Sequence, residues 1–145
     1  MEKRINIQQL EPEAYKAMYT LEKYLQTTQL TDTHKELLKI RASQINGCAF
    51  CLNMHTKDAR KYGETEQRIY LLNAWKETSL FTEEEKILLA LTEEITLISN
   101  GGVSEETYQK AKIIFSENYL AQIIMAIITI NAWNRIAVST HMEIE

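Results

Sequence analysis

Residues 36–63 read ELLKIRASQINGCAFCLNMHTKDARKYG, and this stretch decides the fold. Its first part has the apolar spacing of a helix and stops at Asn46-Gly47, a pair that suits a helix end. A second helix follows at once and ends at Tyr62-Gly63, where glycine tolerates the left-handed conformation that closes a helix. The stretch therefore predicts two antiparallel helices hinged at residues 46–47.

The rest of the chain carries only helical signals, and no segment shows the alternation of apolar and polar residues that is typical of a strand. Capping residues place the start of the first of the two hinged helices at Thr31 or Asp32. Capping residues and apolar spacing also predict five further helices. They run from Pro12 to about Thr27, from Thr65 through Trp75, from Thr82 to Asn100, from Ser104 to Phe115 and from about Glu117 to Thr140. We predict an all-α fold, a helical bundle of about six to seven helices in a single domain over residues 1–145.

Composition and charge narrow the function classes. With 45% hydrophobic and 25% charged residues, the chain is typical of a soluble globular protein. Its net charge of −4 gives no electrostatic reason to bind nucleic acid or an acidic membrane. We expect no signal peptide after Met1, and the best membrane candidate, residues 119–134, is shorter than the roughly 20 apolar residues of a span. We therefore expect a cytoplasmic protein that binds neither nucleic acid nor a membrane.

The last predicted helix is apolar around most of its circumference. In a chain this short, such a helix is either central in the protein or shared with another subunit. We expect a homo-oligomer, and the alternative is a central core helix in a monomer. Arg135 on this helix needs a partner, for which an acidic group at an interface is a candidate. Trp75 and Trp133, which have apolar neighbours, are expected in the core or at an interface.

Cys48 and Cys51 are the only two cysteines, and His55 follows four residues after Cys51. Residues three and four apart share a helical face, so both thiols and the imidazole are expected on one side of the second hinge helix. Cys48 should lie in the first turn, where unpaired amide groups lower a thiol pKa that is otherwise about 8.5. This favours Cys48 as the more ionised and more exposed thiol. Cα atoms three apart in a helix are roughly 5 Å from one another, so oxidation can join the two sulfurs.

His55 can accept a thiol proton or return one, but a base of this kind needs an orienting partner. Glu36, on the preceding helix, is the carboxylate that the predicted helix pair could bring near the cysteines. Asp32 and Asp58 are competing candidates.

Four interpretations of the cysteines remain open at this point. The pair can be a redox-active dithiol, or it can be two thiolate ligands of a zinc ion with His55 and with Glu36 or water. It can also be a disulfide switch without turnover. In a merely structural role, both cysteines would be small buried residues.

The motif resembles the carboxymuconolactone decarboxylase family, specifically its alkylhydroperoxidase D-like branch. That branch carries a glutamate twelve residues before the first cysteine, followed by C-x-x-C-x-x-x-H, and the matching residues here are Glu36, Cys48, Cys51 and His55. The likeness continues through residues 56–60 and 63–65 to the helix that starts near Thr82, and it reappears at residues 131–135, so that it covers most of the chain.

The resemblance implies an all-helical fold that assembles as dimers, trimers or hexamers of dimers. It also implies a thiol-dependent peroxidase without a cofactor or a metal ion, in which Cys51 attacks the peroxide and Cys48 then forms the disulfide. Glu36 and His55 would relay protons, and a dihydrolipoamide-like dithiol or a thiol–disulfide partner protein would restore the thiols. The chain departs from the best-known member at Phe50, where that peroxidase has a histidine between its cysteines.

Overall fold

The computed structural model describes residues 2–145, and every regular element in that part of the chain is a helix. This confirms the predicted all-α fold. In chain order the elements are α1 (Ile7–Leu10), α2 (Pro12–Gln26), α3 (Asp32–Asn46), α4 (Ala49–Lys61), α5 (Glu66–Tyr70), a 3₁₀ helix (Leu72–Glu77), α6 (Glu83–Thr96), α7 (Glu105–Ile114) and α8 (Glu117–Thr140).

Three details differ from the sequence prediction. The short helix α1 precedes α2. The helix predicted from Thr65 through Trp75 is divided into α5 and a 3₁₀ helix. A 3₁₀ helix repeats every three residues, so it places Leu72 and Trp75 on one side, and both are buried. The sixth α-helix ends at Thr96 rather than near Asn100, and the residues that follow form turns.

Polar side chains define most of the helix starts. Thr31 accepts a hydrogen bond from the His34 N–H at the start of α3, and Ser116 does the same for Tyr119 at the start of α8. Thr82 and Glu85 form the predicted capping box at the start of α6. Each cap satisfies an amide group that the helix itself leaves without a partner. These local signals explain why the sequence predicted the helix starts well.

Helix α3 is the centre of the structure, since it packs against α4, α6 and α8. Its side chains Leu37, Leu38 and Ile40 are fully buried. Burying each such side chain contributes roughly 1.5–3 kcal/mol to folding. The residues of the functional motif therefore start from the most firmly packed helix of the protein.

Helix α8 is the second core element. Within residues 2–145 it is the one helix that is long and apolar enough to cross a membrane, judged by length and composition alone. The core helix of a soluble protein has the same composition, and α8 packs against α2, α3, α4, α6 and α7. Ile123 and Ile127 are fully buried, whereas Ile128 remains 45% exposed on the outer side.

Candidate active site

The turn between α3 and α4 sets the position of the cysteines. Gly47 has a φ of 64°, in the left-handed region that favours glycine, and it ends α3. The Cys48 N–H donates to the carbonyl of Ser43, which closes the turn. Cys48 is then the N-cap of α4, and its Sγ accepts the Cys51 N–H at 3.3 Å. The turn at the predicted hinge thus places Cys48 at the N-cap of α4 and Cys51 in its first turn.

Cys48 and Cys51 are joined by a disulfide, with their Cα atoms 5.4 Å apart. Both residues belong to the buried core, but they differ in what they face. Cys51 lines a cavity, whereas Cys48 is 1% exposed and does not line it. The expectation that Cys48 is the more exposed thiol is therefore wrong. The reason is that Cys48 is the N-cap. Its sulfur lies over the first turn of α4, where it accepts the Cys51 N–H, and it is buried there.

Glu36 and His55 lie side by side. His55 Nδ1 on α4 is 3.3 Å from Glu36 Oε2 on α3, and the two helices pack against each other. The proximity shows that the two helices run antiparallel from the hinge. Both atoms are buried, and neither makes a well-aligned hydrogen bond with another of residues 2–145. The two side chains thus contact each other at the wall of the protein's interior, with these two atoms shielded from solvent.

The two competing carboxylates are placed differently. Asp58 Oδ2 lies 3.9 Å from His55 Nδ1, so it is a second acidic neighbour of the imidazole. Asp32 instead pairs with Lys35 at 3.5 Å on the outside of α3. Since Nδ1 of His55 faces the carboxylates, Nε2 is the nitrogen left for proton exchange with a bound molecule.

The structure gathers a possible metal-ligand set that differs from the one the sequence suggested. Glu36, His55 and Asp58 offer one nitrogen and two oxygens that lie within 4.8 Å of one another. The alternative zinc site required two thiolates, but Cys48 and Cys51 are bonded to each other here and a disulfide does not supply thiolate ligands. Any cation held by the carboxylate set would lie beside the dithiol rather than on it.

A cavity of about 570 Å³ opens onto Cys51 and His55. Its size is within the range of roughly 300–1,000 Å³ that is typical of sites for small organic molecules. Helices α2, α3, α4 and α8 and the C-terminal segment all contribute to the wall. The lining residues besides Cys51 and His55 include Tyr15, Tyr19, Glu22, Leu25, Lys35, Glu36, Lys39, Phe50, Met54, Asp58, Tyr62, Trp133, Ala137 and Met142.

The aromatic part of this wall was not predicted from the sequence. Tyr15 and Tyr19 of α2 contact Trp133 of α8, with ring centroids 5.5 and 5.7 Å from the indole. Trp133 was expected in the core or at an interface, but it lines the cavity and donates its Nε1–H to Glu22 at 2.9 Å. Trp75 is buried as expected. The one signal in the sequence was the four-residue spacing of the tyrosines, which does not reveal what they face.

A buried polar network joins α8 to the hinge. Asn46, the last residue of α3, donates to the side-chain oxygens of Asn131 and Asn134 at 3.0 and 2.9 Å. Asn134 is fully buried and donates in turn to the Ser43 hydroxyl. Arg135 is exposed in the single chain and donates to the Asn131 side-chain oxygen, and an acidic partner at an interface stays a prediction. The network fixes the turn that carries Cys48.

The sequence pattern of the carboxymuconolactone decarboxylase family matches residues 12–94, more than half of the chain, and this stretch contains the hinge, the dithiol and the Glu36–His55 pair. The chain belongs to this family, in its alkylhydroperoxidase D-like branch. The resemblance seen in residues 36–65 is therefore confirmed.

Similar proteins support the same placement. The chain is 45% identical over 139 residues to the uncharacterized protein YdfG of Bacillus subtilis (strain 168), covering 96% of this chain and 95% of that one. It also resembles a protein of unknown function from Agrobacterium tumefaciens that has been suggested to be the antioxidant defence protein AhpD, with a TM-score of 0.95, 40% identity and 99% of each chain covered. The debrominase Bmp8 has a TM-score of 0.81 at 18% identity, covering 92% of this chain and 72% of its own, and this likeness shows the fold alone.

Proposed function

We propose that this protein is a thiol-dependent peroxidase that reduces organic hydroperoxides through the Cys48–Cys51 dithiol. One observation carries the proposal: Cys51 lines a ligand-sized cavity that it shares with His55 and Glu36. A sulfur that can be oxidised, a proton carrier and room for a substrate thus meet at one place. Membership of the alkylhydroperoxidase D-like branch supports the same chemistry.

The reaction begins with both cysteines reduced. His55 accepts the proton of the Cys51 thiol, and the thiolate attacks the distal oxygen of the hydroperoxide. An S–O bond forms, the O–O bond breaks, and the leaving alkoxide takes the proton from His55 to become the alcohol. Cys51 is now a sulfenic acid.

The Cys48 thiol then attacks the Cys51 sulfur. The S–S bond forms, and the hydroxyl group of the sulfenic acid leaves as water after it takes the Cys48 proton. Two electrons have passed from the dithiol to the peroxide, and the disulfide described above is the product. A small dithiol reductant returns two electrons and two protons, which restores both thiols and leaves the reductant as its own disulfide.

Glu36 and His55 act as a unit in this scheme. Glu36 orients the imidazole through Nδ1 and stabilises the imidazolium that forms when Cys51 loses its proton. Lys39 Nζ lies 3.9 Å from Glu36 Oε1, so a positively charged group also borders this pair. Asp58, at a longer distance from His55, adds a second negative charge.

The proposal is tested with purified, fully reduced protein and cumene hydroperoxide, with dihydrolipoamide as the reductant. Wild-type protein should consume one peroxide per disulfide formed and turn over when dihydrolipoamide is present. Cys51→Ser should abolish consumption. Without the reductant, Cys48→Ser should stop after one equivalent, with a sulfenic acid on Cys51 that dimedone traps and mass spectrometry detects.

The relay is tested in the same assay. His55→Ala should slow oxidation of Cys51 about 100-fold, the loss that is typical of a removed general base. Asp32→Asn is the matched control, since Asp32 pairs with Lys35 and not with His55. Wild-type rates in Cys51→Ser protein would refute the assignment of the attacking sulfur, and thiols that stay reduced in excess peroxide would refute the peroxidase itself.

A further inference from the structure

We propose that the cavity selects hydroperoxides that carry an aromatic ring, with the ring against Tyr19 and Trp133 and the O–O group at Cys51. This inference rests on the proposed peroxidase function and names its substrate class. It follows from three features of the cavity: its aromatic wall, the state of its polar groups and its size.

The aromatic wall stands on two helices that are far apart in the chain. Tyr15, Tyr19 and Trp133 form a cluster whose rings meet edge-on or tilted, at centroid distances between 5.5 and 6.0 Å. Tyr15 is buried within this cluster, whereas Tyr19 keeps 48% of its surface exposed. The exposed part of the Tyr19 ring can therefore contact one further ring in the edge-on or tilted geometry that aromatic pairs prefer.

Two polar groups of the aromatic wall already have partners. The Trp133 N–H donates to Glu22, and the Tyr15 hydroxyl points at the Met142 sulfur at 4.0 Å. The charged groups near the dithiol, Glu36 and His55, face each other. The rings of Tyr19 and Trp133 therefore offer apolar contact in the same cavity in which Cys51 and His55 offer proton transfer. A substrate with a ring at one end and a hydroperoxide at the other matches this division.

The size of the cavity argues in the same direction. Its volume of about 570 Å³ greatly exceeds what hydrogen peroxide would fill. Hydrogen peroxide would leave the wall of Tyr19, Phe50, Met54 and Trp133 in contact with water. An aromatic ring would cover that wall, and apolar burial is the term that favours binding.

The test uses two hydroperoxides that differ by a single group. Cumene hydroperoxide carries a phenyl group where tert-butyl hydroperoxide carries a methyl group, and both have the same tertiary C–O–O–H. Wild-type protein should have a kcat/KM at least about 10-fold higher for the phenyl compound, since each aromatic contact contributes about 2- to 10-fold. Tyr19→Leu should lower the value for cumene hydroperoxide by about 2- to 10-fold and leave tert-butyl hydroperoxide within twofold.

Tyr24→Leu is the matched control. Tyr24 lies on the same helix and is 39% exposed, but it does not line the cavity. This variant should behave as wild type with both hydroperoxides. Equal kcat/KM values for the two hydroperoxides in wild type, or an equal loss in Tyr19→Leu and Tyr24→Leu, would overturn the inference and leave the peroxidase standing.

A binding measurement separates the inference from the proposed function. The alcohol products, 2-phenyl-2-propanol and tert-butanol, are titrated into oxidised protein, and shifts of the Trp133 indole N–H signal are followed by NMR. Tighter binding of the phenyl alcohol, weakened by Tyr19→Leu, supports the ring site even if no hydroperoxide oxidises Cys51. Equal binding of both alcohols would count against the ring site whatever the peroxidase assay shows.

Discussion

In the proposed reaction, Cys48 and Cys51 have different tasks because Cys48 is the N-cap of α4 and Cys51 lies in its first turn. Cys51 faces the cavity, so a reductant that enters there meets its sulfur first. Attack on Cys51 releases Cys48 as a thiolate. The Cys51 N–H donates to Cys48 Sγ at 3.3 Å, and the helix start carries partial positive charge, so both favour that leaving group. The positive start of α4 thus favours Cys48 as the leaving group, whereas the exposure of Cys51 to the cavity favours Cys51 as the site of attack.

A pH-dependent stability is expected from His34, which lies outside the dithiol site. Its Nδ1 lies 2.6 Å from the Tyr119 hydroxyl, and Glu84 is 3.9 Å from its Nε2. Burial lowers the pKa of His34 below its usual 6.5, although Glu84 and Glu85 oppose this shift. The folded protein therefore binds fewer protons here than the unfolded chain. This contribution to stability is complete above pH 6.5 and is lost as the pH falls toward the lowered pKa.

The measurement is the free energy of unfolding in urea at pH 7.5 and at pH 5.5. Wild-type protein should be less stable at the lower pH, and His34→Gln should show a smaller difference between the two. Glutamine keeps a polar partner for Tyr119 but does not titrate. His141→Gln is the control, because His141 lies in the C-terminal segment. An identical pH dependence in wild type and His34→Gln would contradict the assignment.

At the scale of the elements, α8 holds the hinge that presents the dithiol. Asn134 is fully buried and connects Ser43 and Asn46, both in the last turn of α3, to α8. Each buried polar group left without a partner costs about 1–3 kcal/mol. The network therefore contributes to the stability of the hinge.

We expect Asn134→Ala to lower the free energy of unfolding by about 2–4 kcal/mol, since it removes two hydrogen bonds and leaves a small cavity. Urea denaturation gives this value directly. Ser139→Ala is the matched control on the same helix, because Ser139 is exposed and only its backbone carbonyl is engaged. A loss in Asn134→Ala no greater than that in Ser139→Ala would show that the network does not carry this share of stability.

Local signals explain why so much of the structure could be predicted from the sequence. The caps at Thr31 and Thr82, the left-handed Gly47 and the apolar spacing of α3 each act within a few residues, so the chain alone specifies them. The shared face of Cys51 and His55, which both line the cavity, follows from helical spacing in the same way, whereas Cys48, as the N-cap, leaves that face. The cavity wall does not, because Tyr19 and Trp133 meet only after α2 has packed on α8.

The whole molecule leaves an apolar stripe on the outer side of α8. Ala121, Met125, Ile128 and Ala132 follow one another at spacings of four, three and four residues, the pattern of a helix that packs on another helix. Ile128 is 45% exposed in the single chain. A second copy of the chain is the occupant that we expect, as the apolar composition of α8 suggested.

We therefore expect wild-type protein to have a solution mass that is a multiple of 16.9 kDa, and Ile128→Glu to shift it toward a single chain, because a charge in the stripe would be buried without a partner. Light scattering during gel filtration measures both. Ile144→Glu is the matched control, since Ile144 is 52% exposed in the C-terminal segment and lies outside α8.

A wild-type mass of 16.9 kDa at every concentration would show that α8 is a core helix of a monomer. A multiple that survives Ile128→Glu would instead place the interface on another surface, and the exposed side of α7 at Ile113 would be tested next.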